Sequence, residues 1–209
     1  MALVDPNKTS EPENSSIAST STTKSSPVVG PPLDLSFKCM LAASDIKEEV
    51  QNHIQENLPK SPRTKKYSCN AIRLNNNSMS DMNGFDDTVQ EIIENSDDVA
   101  WIDVSFNELQ TIDKVITKFQ NLKVLYLHGN MINKIQEVNK LAALPHLRSL
   151  TLHGNPIETE KGYRQYVLSA LPGLKTFDFS GVTKQDRATA NTWRSMNAKA
   201  MKNRKNVPS

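Results

Sequence analysis

The sequence predicts a short α/β solenoid of about five coils, with short parallel strands on its concave face and helical segments on the other. The stretch LKVLYLHGNMI at 122–132 returns 25 residues later as LRSLTLHGNPI at 147–157. The same spacing of apolar residues and asparagine occurs twice more upstream, and the intervening segments carry apolar residues at helical spacing. A length of 209 residues, 37% hydrophobic and 23% charged, fits one such domain with polar extensions.

Four copies of one motif align on an asparagine. They read CNAIRLNNN, VAWIDVSFN, LKVLYLHGN and LRSLTLHGN, and they end at Asn77, Asn107, Asn130 and Asn155. The asparagines are 30, 23 and 25 residues apart, against a usual period of about 20 to 29 residues for the leucine-rich repeat pattern. A last, altered copy, LKTFDFSGV, ends at Val182, which predicts that the array ends there.

Strand residues within each copy alternate between the two faces of the predicted sheet. The apolar residues on one face form a shared core, since a single coil buries too little surface to offset its lost chain entropy. The four asparagines are expected to be structural, because an amide both donates and accepts hydrogen bonds where the chain turns away from the strand.

The segments around the copies predict an outer layer and two caps. Asp87 to Glu94 predicts a capped helical turn, and residues 45–58 predict an amphipathic helix because apolar residues recur at spacing four from Ile46 to Leu58. From Glu158 onward a longer helix is expected before the last strand. This segment resembles the C-terminal cap of leucine-rich repeat proteins such as the U2 ribonucleoprotein A-prime subunit and tubulin-folding cofactor E.

Composition divides the chain into four segments. Residues 1–30 hold eleven Ser/Thr and three Pro, which predicts a disordered leader. Residues 31–67 are expected to form an N-terminal cap segment and a basic linker, KSPRTKKYS, and residues 68–182 the repeat domain with its C-terminal cap. Residues 183–209 form a basic tail of charge +6, so the rest of the chain carries −4 of the total +2.

Several classes of protein are disfavoured. No stretch approaches the roughly 20 apolar residues of a membrane helix, and the first residues lack the apolar core of a signal peptide, so a cytoplasmic protein is expected. Cys39 and Cys69 stand in no metal or disulfide spacing. GNPIETEKG at 154–162 lacks the glycine before the lysine of a phosphate loop, and no HExxH or GxSxG motif occurs. We expect no catalysis, no cofactor and no small-molecule substrate.

Strand residues that point away from the core define a candidate binding face. Neighbours in one column are close enough to touch, since strands lie about 4.8 Å apart. Exposed Trp, Tyr and Arg side chains are the types that dominate protein interfaces. The candidate partner-binding residues are Arg73, Trp101, Asp103, Tyr126, His128, Arg148, Thr151, His153 and Asp178.

The two histidines of the near-duplicate stretches are neighbours in one column. A zinc site would need a third ligand, yet the adjoining column positions are Ser105 and Ser180. We therefore interpret His128 and His153 as part of a polar ladder open to a partner, with no metal bound.

The ends of the chain provide an alternative to a free face. Either PPLDLSF at 31–37 or the tail is long enough to cover Trp101 and Tyr126 within the same molecule.

The tail itself predicts a helix in which Thr183 and Asp186 form a capping pair, while Trp193, Met196 and Ala200 fall on one side among basic residues. Such a helix suits acidic tubulin tails or phosphates, or it is a solvated end.

Five stretches carry a closer resemblance. They are AWIDVSFN (100–107), VLYLHGN (124–130), EVNKLAALPHLRSLTLHGNP (137–156), EKGYRQYVL (160–168) and TFDFSGVTKQDR (176–187). Together with PPLD near residue 31, they are similar to a family of small cytoplasmic leucine-rich repeat proteins, over roughly residues 31–195. The resemblance implies an association with cilia and flagella, and no catalysis.

The sequence therefore predicts a rigid, non-catalytic adaptor. Its expected partners are other proteins, by resemblance the subunits of axonemal complexes, with tubulin bound through the basic tail. Membranes and nucleic acids are not the expected partners. The alternatives are an RNA-associated ribonucleoprotein subunit like the A-prime protein and a phosphatase regulatory subunit.

Overall fold

The computed structural model describes residues 30–52 and 58–205, with the backbone alone for residues 198–205. The predicted leader, apart from Gly30, and Ile54 of the predicted N-terminal helix lie outside the described residues. The strands are β1 (Leu33–Asp34), β2 (Ala71–Arg73), β3 (Trp101–Asp103), β4 (Val124–Tyr126), β5 (Ser149–Thr151), β6 (Thr176–Phe177) and β7 (Ser180–Gly181). The α-helices are α1 (Asp45–Asn52), α2 (Phe85–Ile92), α3 (Tyr163–Ala170) and α4 (Lys184–Lys205).

The seven strands form one sheet in chain order. Strands β1 to β6 are parallel, and β7 returns antiparallel to β6. Trp101 pairs with Val124 and Asp103 with Tyr126, which is the register expected from aligning the copies on their asparagines. The predicted α/β leucine-rich repeat solenoid is therefore confirmed.

Strand β1 is a rung that the sequence analysis did not predict. It lies within PPLDLSF, where Leu33 pairs with Ile72, and Leu33 and Leu35 are buried in the core. This segment thus extends the sheet at its N-terminal edge and does not cover the aromatic residues of the sheet face.

The core lies between the sheet and the outer segments. Ile72, Ile102, Leu125 and Leu150 face it from successive strands, each at most 1% exposed. The outer layer consists of α2 and of 3₁₀ segments at Ser96–Asp98, Lys114–Lys118, Ile135–Ala143 and Pro156–Thr159. The single helix expected from Glu158 is divided, because Gly162 has a φ of 83° immediately before α3.

The repeat asparagines lie where each strand ends. The Nδ2 of Asn130 donates to Val104 O and Leu127 O at 3.0 and 2.9 Å, and its Oδ1 accepts from Leu109 N at 3.0 Å. Asn77, Asn107 and Asn155 make the same pattern of contacts one coil apart. Each coil is thereby joined to the next through side-chain amides as well as through the strands.

The segment expected to be a basic linker is instead folded. Lys60 forms an antiparallel bridge with Tyr67, which also bridges Ile93. Tyr67 is 2% exposed. Because Tyr67 is buried beside α2, these residues form part of the N-terminal cap. The prediction of a linker rested on the basic residues of this segment and overlooked the burial of Tyr67.

The tail helix packs against the C-terminal cap. Thr183 and Asp186 form the expected capping pair, and Arg164 Nε lies 3.0 Å from Asp186 Oδ1. Arg187 donates to Leu168 O and Leu171 O at the end of α3 and to Leu174 O in the loop that follows. Since α4 lies against α3, its described part does not cover the sheet face. Among the described residues, no helix combines the length and hydrophobicity that a membrane-spanning segment needs.

Candidate protein-binding face

Aromatic rings form a continuous cluster on the concave face of the sheet. Trp101 on β3 and Tyr126 on β4 meet edge to face, with ring centroids 5.8 Å apart. Tyr126 also contacts His128, at 6.1 Å between centroids. All three side chains are partly exposed. Parallel rungs therefore place rings from successive coils side by side, as the columns predicted.

The histidines His128 and His153 stack, with ring centroids 4.7 Å apart and planes inclined by 10°. His128 Nδ1 lies 2.8 Å from Thr151 Oγ1, and His153 Nδ1 lies 3.3 Å from Asp178 Oδ1. Burial, and then the neighbouring His153, lowers the pKa of His128. The two histidines thus form a stacked pair in which each ring lies within hydrogen-bond distance of a neighbouring side chain.

Phe179 joins this cluster, and the sequence analysis missed it. The alignment of the last copy placed Phe179 toward the core, but the chain turns back between β6 and β7, with φ of 49° at Asp178 and 58° at Phe179. The Phe179 ring lies 5.4 Å from Tyr126 and 5.6 Å from both histidines, and it is 60% exposed. Two-residue turns with positive φ are usually signalled by Asn-Gly, and the Asp-Phe sequence hides this one.

Phe106 extends the cluster beyond the carboxyl end of β3. It precedes Asn107 and has a φ of 52°, whereas the equivalent positions in the next two coils are Gly129 and Gly154. A left-handed conformation costs a residue with a Cβ about 1–2 kcal/mol. The ring is 53% exposed and lies 5.0 Å from His128. The aligned copies place Phe106 where the next two coils have glycine, and a bulky residue at such a position indicates a functional role.

Charged side chains surround the rings. Arg73 forms an ion pair with Asp34 at 3.1 Å, and its guanidinium lies 5.4 Å from the centroid of Trp101. Asp103 is buried, and its Oδ1 accepts from the backbone N and the Oγ of Ser105.

Three of the nine candidate residues hold the frame itself. Asp103 fixes the turn after β3, and Thr151 is 0% exposed. Asp178 accepts from Leu152 N at 2.7 Å and from the Tyr163 hydroxyl at 2.9 Å. Burial and this carboxylate raise the pKa of Tyr163, so that the phenol stays a donor. Thr151 and Asp178 also lie within hydrogen-bond distance of the rings of His128 and His153.

Arg148 lies apart from the cluster. Its Nη1 donates to Pro145 O and Leu147 O, at 3.1 and 2.9 Å, beside Gly173 of the last outer loop. The structure therefore brings together Arg73, Trp101, Tyr126, His128 and His153, and adds Phe106 and Phe179. We call these seven residues the aromatic face.

Parallel rungs joined by asparagines define a leucine-rich repeat protein, a class suited to binding other proteins. A model of the leucine-rich repeat family matches residues 71–206. Leucine-rich repeat-containing protein 51 of Rattus norvegicus is 54% identical over 173 residues, which is 82% of this chain and 89% of the relative. The Homo sapiens protein of that name is 51% identical over 172 residues, with the same coverage. The chain belongs to the family of leucine-rich repeat-containing protein 51.

More distant similarities concern the fold. Leucine-rich repeat-containing protein 23 of Xenopus tropicalis is 42% identical over 84 residues, covering 40% of this chain and 24% of that protein. Among solved structures, the Drosophila melanogaster SNF/U2A' complex superposes with a TM-score of 0.50 at 20% identity, covering 59% of this chain and 67% of the other. This likeness shows a shared solenoid architecture.

Proposed function

We propose that this protein is a non-catalytic adaptor of the ciliary or flagellar axoneme, and that its aromatic face binds a protein subunit there. The observation that carries the binding role is the cluster of Trp101, Tyr126, His128 and Phe179 on a rigid sheet. Rings of this kind bind with little loss of conformational entropy when their positions are fixed beforehand. The ciliary placement rests on the family resemblance.

The ends of the chain support a face that is free for a partner. PPLDLSF forms a rung of the sheet, and the described part of α4 lies on α3, so neither segment competes for the rings. The backbone of α4 continues as helix to Lys205. We propose that the basic residues of this end, beginning with Arg194, contact acidic tubulin tails.

Substitution of both central rings tests the proposal. The variant Trp101→Ala/Tyr126→Ala should lose retention on salt-washed axonemes while its melting temperature stays nearly unchanged, because both rings are partly exposed. Leu41→Ala is the control, since Leu41 is 65% exposed and lies just before α1, outside the aromatic face. Retention of the double variant at the wild-type level would place the interface elsewhere.

Cross-linking on isolated axonemes would locate the partner directly. Lys123 and Lys175 each immediately precede a strand of the face, β4 and β6. We expect these two lysines to cross-link to a single axonemal subunit, and cross-links confined to the convex side would contradict the proposal.

An RNA-associated subunit is the second candidate, favoured by the basic tail and by the fold shared with U2A' in its complex with SNF. Binding to RNA through phosphate contacts would weaken steeply between about 50 and 200 mM salt. Retention on axonemes through the aromatic face would persist over that range, because ring contacts depend little on ionic strength.

A further inference from the structure

A basic cavity lies on the N-terminal cap, on a part of the molecule distinct from the aromatic face. It is bounded by α1, the end of α2 and the segment from Lys60 to Tyr67. Four lysines line it, Lys47, Lys60, Lys65 and Lys66, together with one carboxylate, that of Glu91. The described lining thus has an excess of positive charge.

Backbone hydrogen bonds within the segment from Lys60 to Tyr67 fix the backbone positions of its lysines. Its turn is closed by bonds from Ser61 N to Lys66 O at 2.8 Å and from Lys65 N to Ser61 O at 2.9 Å. Tyr67 N donates to Ile92 O at 2.8 Å, which anchors the segment to α2. Lysines held on a fixed backbone lose less entropy on binding a ligand than lysines on a flexible linker.

Part of this charge has no opposite charge beside it. Lys47 Nζ lies 2.6 Å from Glu91, and Lys66 Nζ donates to Gln90 O at 2.7 Å. Lys60 Nζ lies 4.5 Å from the centroid of the Tyr67 ring. Within the described residues, neither Lys60 nor Lys65 contacts a carboxylate. Two of the four ammonium groups therefore have no counter-charge within the described part of the chain.

Tyr67 provides a second, independent observation. Its side chain is 2% exposed, and its hydroxyl is buried without a hydrogen-bond partner among the described residues. Buried hydroxyls are nearly always paired in native proteins, so an unpaired one needs an explanation. The tyrosine lines the same cavity as the lysines, and a phenol donates readily to an anionic oxygen.

We propose that this cavity binds a phosphate group, held by Lys60 and Lys65 and reached by the Tyr67 hydroxyl after a small local adjustment. A phosphate offers several strong acceptor oxygens and close to two negative charges. It matches two free ammonium groups and one unpaired phenol better than a carboxylate does. The group is carried either by a soluble phosphate ester or by a lipid headgroup.

The test uses the full chain and two kinds of probe. Isothermal titration calorimetry with pyrophosphate reports binding of a soluble phosphate. Sedimentation with phosphatidylcholine vesicles, with and without a phosphatidylinositol phosphate, reports binding of a headgroup. Wild-type protein is expected to bind at least one phosphate probe saturably, and binding by one probe alone identifies the source of the phosphate.

Two variants separate this site from general charge attraction. Lys60→Gln/Lys65→Gln should weaken binding of the effective probe about tenfold or more. Lys134→Gln/Lys161→Gln removes two exposed lysines elsewhere, and it should change that binding less than about twofold. Equal losses in the two double variants, an unaffected Lys60→Gln/Lys65→Gln variant, or no saturable binding of either probe would overturn the proposal.

Tyr67→Phe tests the phenol without changing the charge. Without a probe, its melting temperature should equal or exceed that of the wild type, because a buried unpaired hydroxyl is removed. The rise in melting temperature produced by the effective probe should be smaller than in the wild type. An unchanged rise would exclude the hydroxyl from the site.

Discussion

Neighbouring asparagines of the repeat share backbone carbonyls, and this sharing predicts which pairs of substitutions are coupled. Val104 O accepts from Asn107 Nδ2 at 3.1 Å and from Asn130 Nδ2 at 3.0 Å. Asn130→Ala therefore leaves Val104 O one donor, while Leu109 N loses its bond to Asn130 Oδ1. We expect this variant to lower the free energy of unfolding by about 1–3 kcal/mol, mainly for one orphaned buried N–H.

The double variant Asn107→Ala/Asn130→Ala removes both donors to Val104 O. Its loss of stability should therefore exceed the sum of the two single losses by about 0.5 kcal/mol or more, the lower range of couplings measured for residues in one network. Asn77→Ala/Asn130→Ala is the control, because Asn77 donates to Leu35 O and Leu74 O and shares no carbonyl with Asn130. Its two losses should add within about 0.5 kcal/mol.

Urea unfolding followed by far-ultraviolet circular dichroism measures all of these energies. Two results would refute the reasoning. One is a loss for Asn130→Ala of only a few tenths of a kcal/mol. The other is equal coupling in the Asn107/Asn130 and Asn77/Asn130 cycles, which would mean that the amides act through general packing rather than through shared carbonyls.

Three further predictions test the face and the C-terminal cap. Gly129→Ala should lower the free energy of unfolding by about 1–2 kcal/mol or more, since φ is 66° there and a Cβ would lie 2.6 Å from the Phe106 ring. Gly181→Ala is the control, because an added Cβ there meets nothing within 4 Å. Thermal melts should show a clear loss of stability for the first variant and little change for the second. Burial lowers the pKa of His128 in the folded protein below its usual value of 6.5. As the pH falls below about 6.5, the unfolded chain binds this proton more readily than the folded protein does, so the free energy of unfolding should decrease. Urea titrations at several pH values should show a smaller decrease for His128→Gln than for the wild type. Arg187→Met should lower the free energy of unfolding by about 2 kcal/mol, because it removes the donors to Leu168 O and Leu171 O. An unchanged unfolding curve in guanidinium chloride would show that these hydrogen bonds make no net contribution to stability.

The sheet and its register were predictable from the sequence because the repeat imposes them. Each coil needs apolar residues at fixed steps and an amide at the turn, and four copies in register leave one way to stack. Trp101, Tyr126, His128 and His153 follow from that register alone. Their mutual contacts follow from the distance between neighbouring strands, which backbone hydrogen bonding fixes whatever the side chains are.

What the sequence left hidden depends on contacts between distant residues. Strand β1 is followed by Lys38 where the other coils have asparagine, and Asn77 of the next coil makes the amide contacts to Leu35 O, Lys38 N and Met40 N. The cap residues Lys60 to Tyr67 have the charge of a linker, and their order comes from pairing with Ile93. Phe179 is turned outward by an Asp-Phe turn without the usual Asn or Gly.

Structural residues and aromatic-face residues differ in whether their side chains form hydrogen bonds to buried backbone groups. Asn130, Asp103 and Asp178 pair with buried backbone groups, so exchanging them exposes unpaired donors or acceptors inside the molecule. The side chains of Trp101, Tyr126 and Phe106 make no hydrogen bond to a buried backbone group in the described structure, and Phe106 has a positive φ. Stability accounts for the first set, whereas the second set fits the partner-binding role proposed for the aromatic face.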